Sequence, residues 1–157
     1  MVGPGEATDP QVRAAEALGA GLVALGALVV TGGLGGVMAA ASRGAAAAGG
    51  TVLGLLPGAA QDANPWVTVA VPTGLGEGRD VLVVRAAQVV VAVGGSWGTL
   101  AEVALAVRTD VPVVVVDDPA LDPWSVVGAY GAAVPGPLRA ADVPAALVVV
   151  RGLLSPR

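Results

Sequence analysis

Short apolar runs alternate along the chain with longer alanine-rich stretches, and the two read in turn as strands and helices. Val89–Val93 is the clearest run. Its five apolar residues carry no polar alternation, as in a strand covered on both faces of a parallel sheet. Ala27–Thr31, Thr51–Leu56 and Val67–Val71 also read as strands, and Val111–Val116 as another buried one. Helices are predicted over about Pro10–Ala24, Val37–Ala48, Arg79–Gln88, Leu100–Arg108 and Ala140–Leu153. A short helix is predicted at Pro123–Tyr130, a short strand at Ala132–Val134 and a polar loop at Gln61–Pro65. Gly3-Pro4-Gly5 resembles the loop after a first strand, so that strand is expected to be short here or to begin upstream of residue 1.

Strands alternating with helices predict the α/β class: a Rossmann-like, doubly wound parallel sheet in three layers, in a single domain over residues 1–157. In such sheets ligands sit outside the carboxyl ends of the strands. Three glycine loops are predicted to fall there, at Gly32–Gly36, Thr73–Gly78 and Gly94–Gly98. The third is the focus of the chain. Gly94, Gly95 and Gly98 can take positive φ and admit a ligand closely, and the helix start that follows favours an anion. Thr99 and Glu102 have the spacing of a capping box, and Glu102 could equally face a ligand. Trp97 could stack on a base or pack beneath the loop. Arg79, just after Gly78, is either a surface residue or a phosphate partner.

Composition narrows the chemistry. The chain has no cysteine and no histidine, and all eight basic residues are arginine. Disulfides, thiol catalysis, imidazole bases, Schiff-base cofactors and a Walker-type lysine are therefore excluded. A net charge of −4 without a basic run gives no support to nucleic-acid binding. Glycines interrupt the uncharged stretch Ala17–Ser42, so no membrane span is expected, and the expected location is the cytoplasm. Asp117-Asp118 reads as a solvated loop, and no metal site is expected. Gly33-x-Gly35 starts like a dinucleotide fingerprint, but Met38 holds the third glycine position and no acid follows Leu56.

Gly95-Ser96-Trp97-Gly98-Thr99-Leu100-Ala101-Glu102 resembles the PGGxGTxxE motif of the LOG ("Lonely Guy"), lysine decarboxylase-like superfamily. Thr31–Met38, with Gly32, Gly33, Gly35, Gly36 and a terminal Val37-Met38, resembles its glycine loop. Thr73-Gly74-Leu75-Gly76-Glu77-Gly78-Arg79 is nearer a TGLGxAR segment of the DprA-related and molybdenum cofactor carrier protein-like branch. Departures from the LOG motif are Gly94 for its proline, Ser96 for its second glycine and Asp80 for the lysine after its arginine. The resemblance implies a nucleotide-binding protein. As a nucleoside 5′-monophosphate phosphoribohydrolase it would use Glu102 and Arg79 catalytically, with Glu77 or Asp80 protonating the leaving base. The ligand would be held by Gly32, Gly33, Gly35, Gly36, Met38, Thr73, Gly74, Gly76, Gly94, Gly95, Ser96, Trp97, Gly98 and Thr99. No resident cofactor is required. The alternative is a non-catalytic carrier or sensor of a nucleotide or of molybdenum cofactor. A homodimer or higher homo-oligomer is implied in either case.

Overall fold

Side chains of the central strands divide by parity between two faces, and helices cover both. The computed structural model describes residues 1–116 and 136–154. In it β4 (Val90–Val93) and β5 (Val113–Val116) run parallel, Val90 beside Val113 and Val93 beside Val116. Val91, Val93, Val114 and Val116 pack with Leu18 and Leu22 of α1 (Asp9–Ala24), Val37 and Ala41 of α2 (Gly36–Ala47), and Ala146 and Val150 of α5 (Val143–Leu154). Val90, Ala92, Val113 and Val115 pack on the opposite side. Their partners are Val83 and Val84 of α3 (Asp80–Arg85) and Val103 and Ala106 of α4 (Trp97–Arg108). This explains why the β4 and β5 runs are apolar throughout: in a strand of period two, neither face of these meets water.

β1 (Val29–Thr31), β2 (Val52–Leu56) and β3 (Val69–Pro72) form one parallel set in that order, and β4, β5 and β6 (Leu138–Ala140) form another. Met1 and Val2 lie between them. The Met1 amino group donates to Val30 O at 2.8 Å. Val2 N donates to Val91 O at 2.9 Å, and Val2 O accepts from Val93 N at 3.1 Å. Residues 1 and 2 thus bridge the two sets, Val2 lying parallel to Ala92, and the Rossmann-like α/β sheet has its switch point at the carboxyl ends of β1 and β4. No helix among the described residues is long and apolar enough to cross a membrane.

Several boundaries differ from the predicted ones. β6 falls where the last helix was expected to begin. Asp142 Oδ1 accepts the Ala145 N–H at 2.8 Å and starts α5 at Val143 instead. α3 stops at Arg85, because Ala86–Val89 turn the chain back into β4. β3 starts at Val69, after a turn in which Val67 N donates to Asn64 O at 3.2 Å. The predicted elements at 123–130 and 132–134, and Asp117-Asp118, lie outside the described residues.

α1 and α2 meet backbone to backbone. A Cβ on Gly19 would land on the Ala41 carbonyl, and one on Gly44 would land on the Glu16 carbonyl. Overpacking at such a contact costs about 1–3 kcal/mol, so Gly19→Ala is expected to lower stability by that amount in a denaturant melt. Gly152→Ala, in the open on α5, is expected to leave stability unchanged or raise it by up to ~1 kcal/mol.

Candidate anion-binding site

The carboxyl ends of β1 and β4 lead into two glycine turns, each opening a helix. After β1, Thr31 Oγ1 accepts the Gly33 N–H at 3.0 Å, with Gly33 at φ 75° and Gly36 at φ 58°. Asn64 holds this turn from outside. Its Nδ2 donates to the carbonyls of Gly33 and Leu34, both at 3.0 Å, and its N–H donates to Gly33 O at 2.8 Å. Gly35 and Gly36 pack on the carbonyls of Pro4 and Gly5, where a side chain on Gly36 would collide. The carbonyls of the Gly32–Gly36 turn are thus engaged from behind, and the α2 N-terminus opens at Gly36.

After β4 only Gly94 takes positive φ, at 66°, and its Cα faces Gln11 Nε2 of α1. Gly95 and Gly98 do not take positive φ, which corrects the expectation for them: Gly98 lies already inside α4. The helix begins at Trp97 because Ser96, in extended backbone, caps it. Ser96 Oγ accepts the Thr99 N–H at 3.2 Å and lies 2.9 Å from Thr99 Oγ1. The capping-box reading of Thr99 and Glu102 is therefore overturned, since the cap sits three residues earlier. Glu102 belongs to the second turn, on the same buried face as Thr99, and carries no hydrogen bond among the described residues. Trp97 does not pack beneath the loop, for it is 86% exposed.

The third loop folds over the end of β2. Thr73 spends its hydroxyl on Leu56 O at 2.8 Å, and Gly76 N donates to Pro57 O at 3.1 Å. Gly74 and Gly76 both take positive φ. These three residues shape a loop that delivers Arg79 to β1. The guanidinium lies against Gly32 and Met38, and a Cβ on Gly32 would fall on Nη1. Arg79 Nε is 3.0 Å from Asp80 Oδ1, but Nε and Nη1 are buried and make no hydrogen bond among the described residues. A guanidinium with buried, unused donors is costly unless an anion completes it.

Glu102 is the electrostatic counterpart. Burial above all, then the Asp80 carboxylate, pushes its carboxyl up to about 7, against the Met1 amino group and Arg79, which favour its charged form. Asp80 is raised too, first by burial, with Arg79 opposing and Glu77 adding to the rise. Arg79, Asp80, Glu102 and Gly32 thus gather at the switch point. Asn64 and Gln11 were not singled out in the sequence. The Asn64-Pro65 pair was the available sign of a turn, whereas Gln11, in an alanine-rich helix, carried none. A cleft of about 340 Å³ lined by Met1, Leu25–Val30, Ala86–Val89 and Val150 lies at the opposite, amino-terminal edge of the sheet, and no described side chain in its wall is titratable.

Fold and site together define a Rossmann-like protein with a polar cluster at the switch point of its sheet. Residues 1–131 match the SLOG cluster4 family, and the chain belongs to it. The structure is similar to the molybdenum cofactor binding protein of Rippkaea orientalis, with TM-score 0.89 and 32% identity over 98% of this chain and 94% of that one. It is similar also to the molybdenum cofactor carrier protein of Chlamydomonas reinhardtii, with TM-score 0.87 and 36% identity over 99% and 96%. With DNA processing protein A of Streptococcus pneumoniae it shares the fold, with TM-score 0.73 and 15% identity over 94% of this chain and 59% of that one.

Two stability effects follow. Glu102 is raised from an ordinary carboxyl value near 4.5 to about 7. The folded state therefore holds the extra proton between those limits, and stability falls as pH rises through that window. At 1.36 kcal/mol per unit, Glu102→Gln is expected to be more stable than the wild type at pH 8 by up to about 3 kcal/mol. The gain should vanish below pH 4.5 in paired melts. Asn64→Ala removes the supports of the Gly32–Gly36 turn, and at about 0.5–1.5 kcal/mol per hydrogen bond it should cost about 1–3 kcal/mol in the same melts.

Proposed function

We propose that the protein binds a phosphate-bearing small molecule at this cluster and serves as a carrier or sensor, with molybdenum cofactor as its cargo. The observation that carries this reading is similarity along nearly the whole chain to a molybdenum cofactor binding protein and a molybdenum cofactor carrier protein. The residues suit a phosphorylated pterin. Arg79, ion-paired to Asp80 through Nε, has buried donors that make no hydrogen bond among the described residues. Gly32, lacking a Cβ, lets the guanidinium lie against its backbone, and the starts of α2 and α4 favour negative charge. Thr99 and Ser96 supply hydroxyls, and the exposed Trp97 ring offers a face to a flat heterocycle. The departures at Gly94, Ser96 and Asp80 from the hydrolase motif favour the carrier over the phosphoribohydrolase.

One observation keeps the hydrolase as a second reading. A carboxyl near 7, as at Glu102, is suited to proton transfer at neutral pH. Homo-oligomerisation belongs to the proposal as well, and exposed Val69 and Val71 on β3 with Val81 and Leu82 on α3 are the apolar surface a second copy would cover. A cytoplasmic setting suits such a carrier.

The test uses one protein preparation and two ligands. Molybdenum cofactor released from a molybdoenzyme should be retained through desalting, detected by pterin fluorescence, and should raise Tm by an amount equivalent to ~2.7 kcal/mol near 100 Kd. Arg79→Ala, which removes charge-assisted hydrogen bonds of about 1.5–3 kcal/mol, should weaken retention roughly 10–100-fold. AMP under the same conditions should yield no free base by chromatography. Free base that disappears in Glu102→Gln would instead establish the hydrolase, and failure to retain the cofactor would remove the carrier.

A further inference from the structure

The cluster is short of positive charge for the ligand it is read to hold. Asp80 and Arg79 at the start of α3 and the Met1 amino group all act on the Glu102 carboxyl through space. Glu77 bears on Asp80. Asp80 sits 3.0 Å from Arg79 Nε and already matches the guanidinium charge. With Glu102 ionised, the Arg79, Asp80 and Glu102 cluster is negative by one before any anion enters. The Met1 amino group cannot make up the difference at neutral pH, because burial holds it down to about 6. A phosphate monoester would add nearly two more negative charges inside a site where Glu102 is 8% exposed. An ionised carboxylate also has no hydrogen to offer a phosphate oxygen, whereas a carboxylic acid has one.

We propose that the site takes up its phosphate-bearing ligand together with one proton held on Glu102, while Asp80 holds the Arg79 guanidinium in place against Gly32. The balance is simple. Protein with ionised Glu102, one proton and the anion give a complex in which Glu102 is a carboxylic acid donating to the anion. Loss of that proton releases the anion. Acid therefore loads the protein and alkali unloads it. The high proton affinity of Glu102 in the unliganded protein places the switch near neutrality. Asp80 is here a positioning residue whose charge also sets the pH at which the switch works. The inference rests on the anion-binding reading above.

Inorganic sulfate is the probe, because it stays a dianion from pH 5.5 to 8.5 and so brings no titration of its own. Wild-type affinity should be nearly constant at the acid end and weaken ~10-fold per pH unit above 7, as uptake of one proton requires. Glu102→Gln should bind sulfate more tightly than the wild type at pH 8 and lose the slope above pH 7. Asp80→Asn should move the midpoint of the wild-type profile to lower pH, a displacement that a merely structural role would not produce. Calorimetry of the wild type at pH 8 in two buffers of different ionisation enthalpy should count close to one proton taken up per sulfate, whatever the fate of the variants. Saturable sulfate binding with no pH slope and no proton uptake would overturn the coupling and leave the site reading intact. No saturable binding of sulfate or AMP at any pH would overturn both.

Discussion

Everything at the switch point depends on a close approach that admits no side chain. The Arg79 guanidinium lies against the Cα of Gly32, and any Cβ there would occupy the same space. The glycine at 32 is thus a steric requirement of the arginine rather than of backbone conformation, since Gly32 itself does not take positive φ. Around it the structure converges from separate parts of the chain. Thr73 ties the Arg79 loop to the end of β2, Asn64 braces the Gly32–Gly36 turn, and Pro4 and Gly5 press on Gly35 and Gly36. Rearrangement of any one of these would move a polar group that has no other place to go.

The layered architecture was legible because its signal is dense. Runs such as Val89–Val93 and Val113–Val116 must be covered on two sides, and glycine turns at their ends can only lead into helices of a doubly wound sheet. The glycine loops and the cluster of Arg79 and Glu102 were legible from motif spacing. What escaped was decided at the level of single hydrogen bonds. Thr99 and Glu102 fit a capping box by spacing, but the Ser96 hydroxyl is one turn nearer and in extended backbone, so it wins the cap. The Thr73 hydroxyl donates to Leu56 O, a tie that motif spacing does not record. Asn64 and Gln11 act across long sequence separations that no local pattern records. β6 has three residues, two of them exposed, and lacks the apolar run that marks the other strands.

The cluster also shows where stability and function pull apart. A well-packed interior would not hold a buried carboxyl and a buried guanidinium that make no hydrogen bond among the described residues. The surrounding layers, with Val114, Ala92 and Val103 almost wholly buried, supply the rigidity that keeps such groups in place. Unsatisfied polar groups gathered at one edge of an otherwise saturated sheet mark a place arranged for something the chain does not itself contain.

The absence of histidine has a consequence for how this protein can be observed. Most proteins buffer near neutrality through imidazoles scattered over their surface, which hides any single site in the sum. Here no imidazole exists. Among the described residues, the groups pushed toward neutrality are the Glu102 carboxyl and the Met1 amino group that bears on it. Among the described residues, buffering between pH 6 and 8 is therefore concentrated on these two interacting groups. A plain acid–base titration becomes a local spectroscopy of that pair.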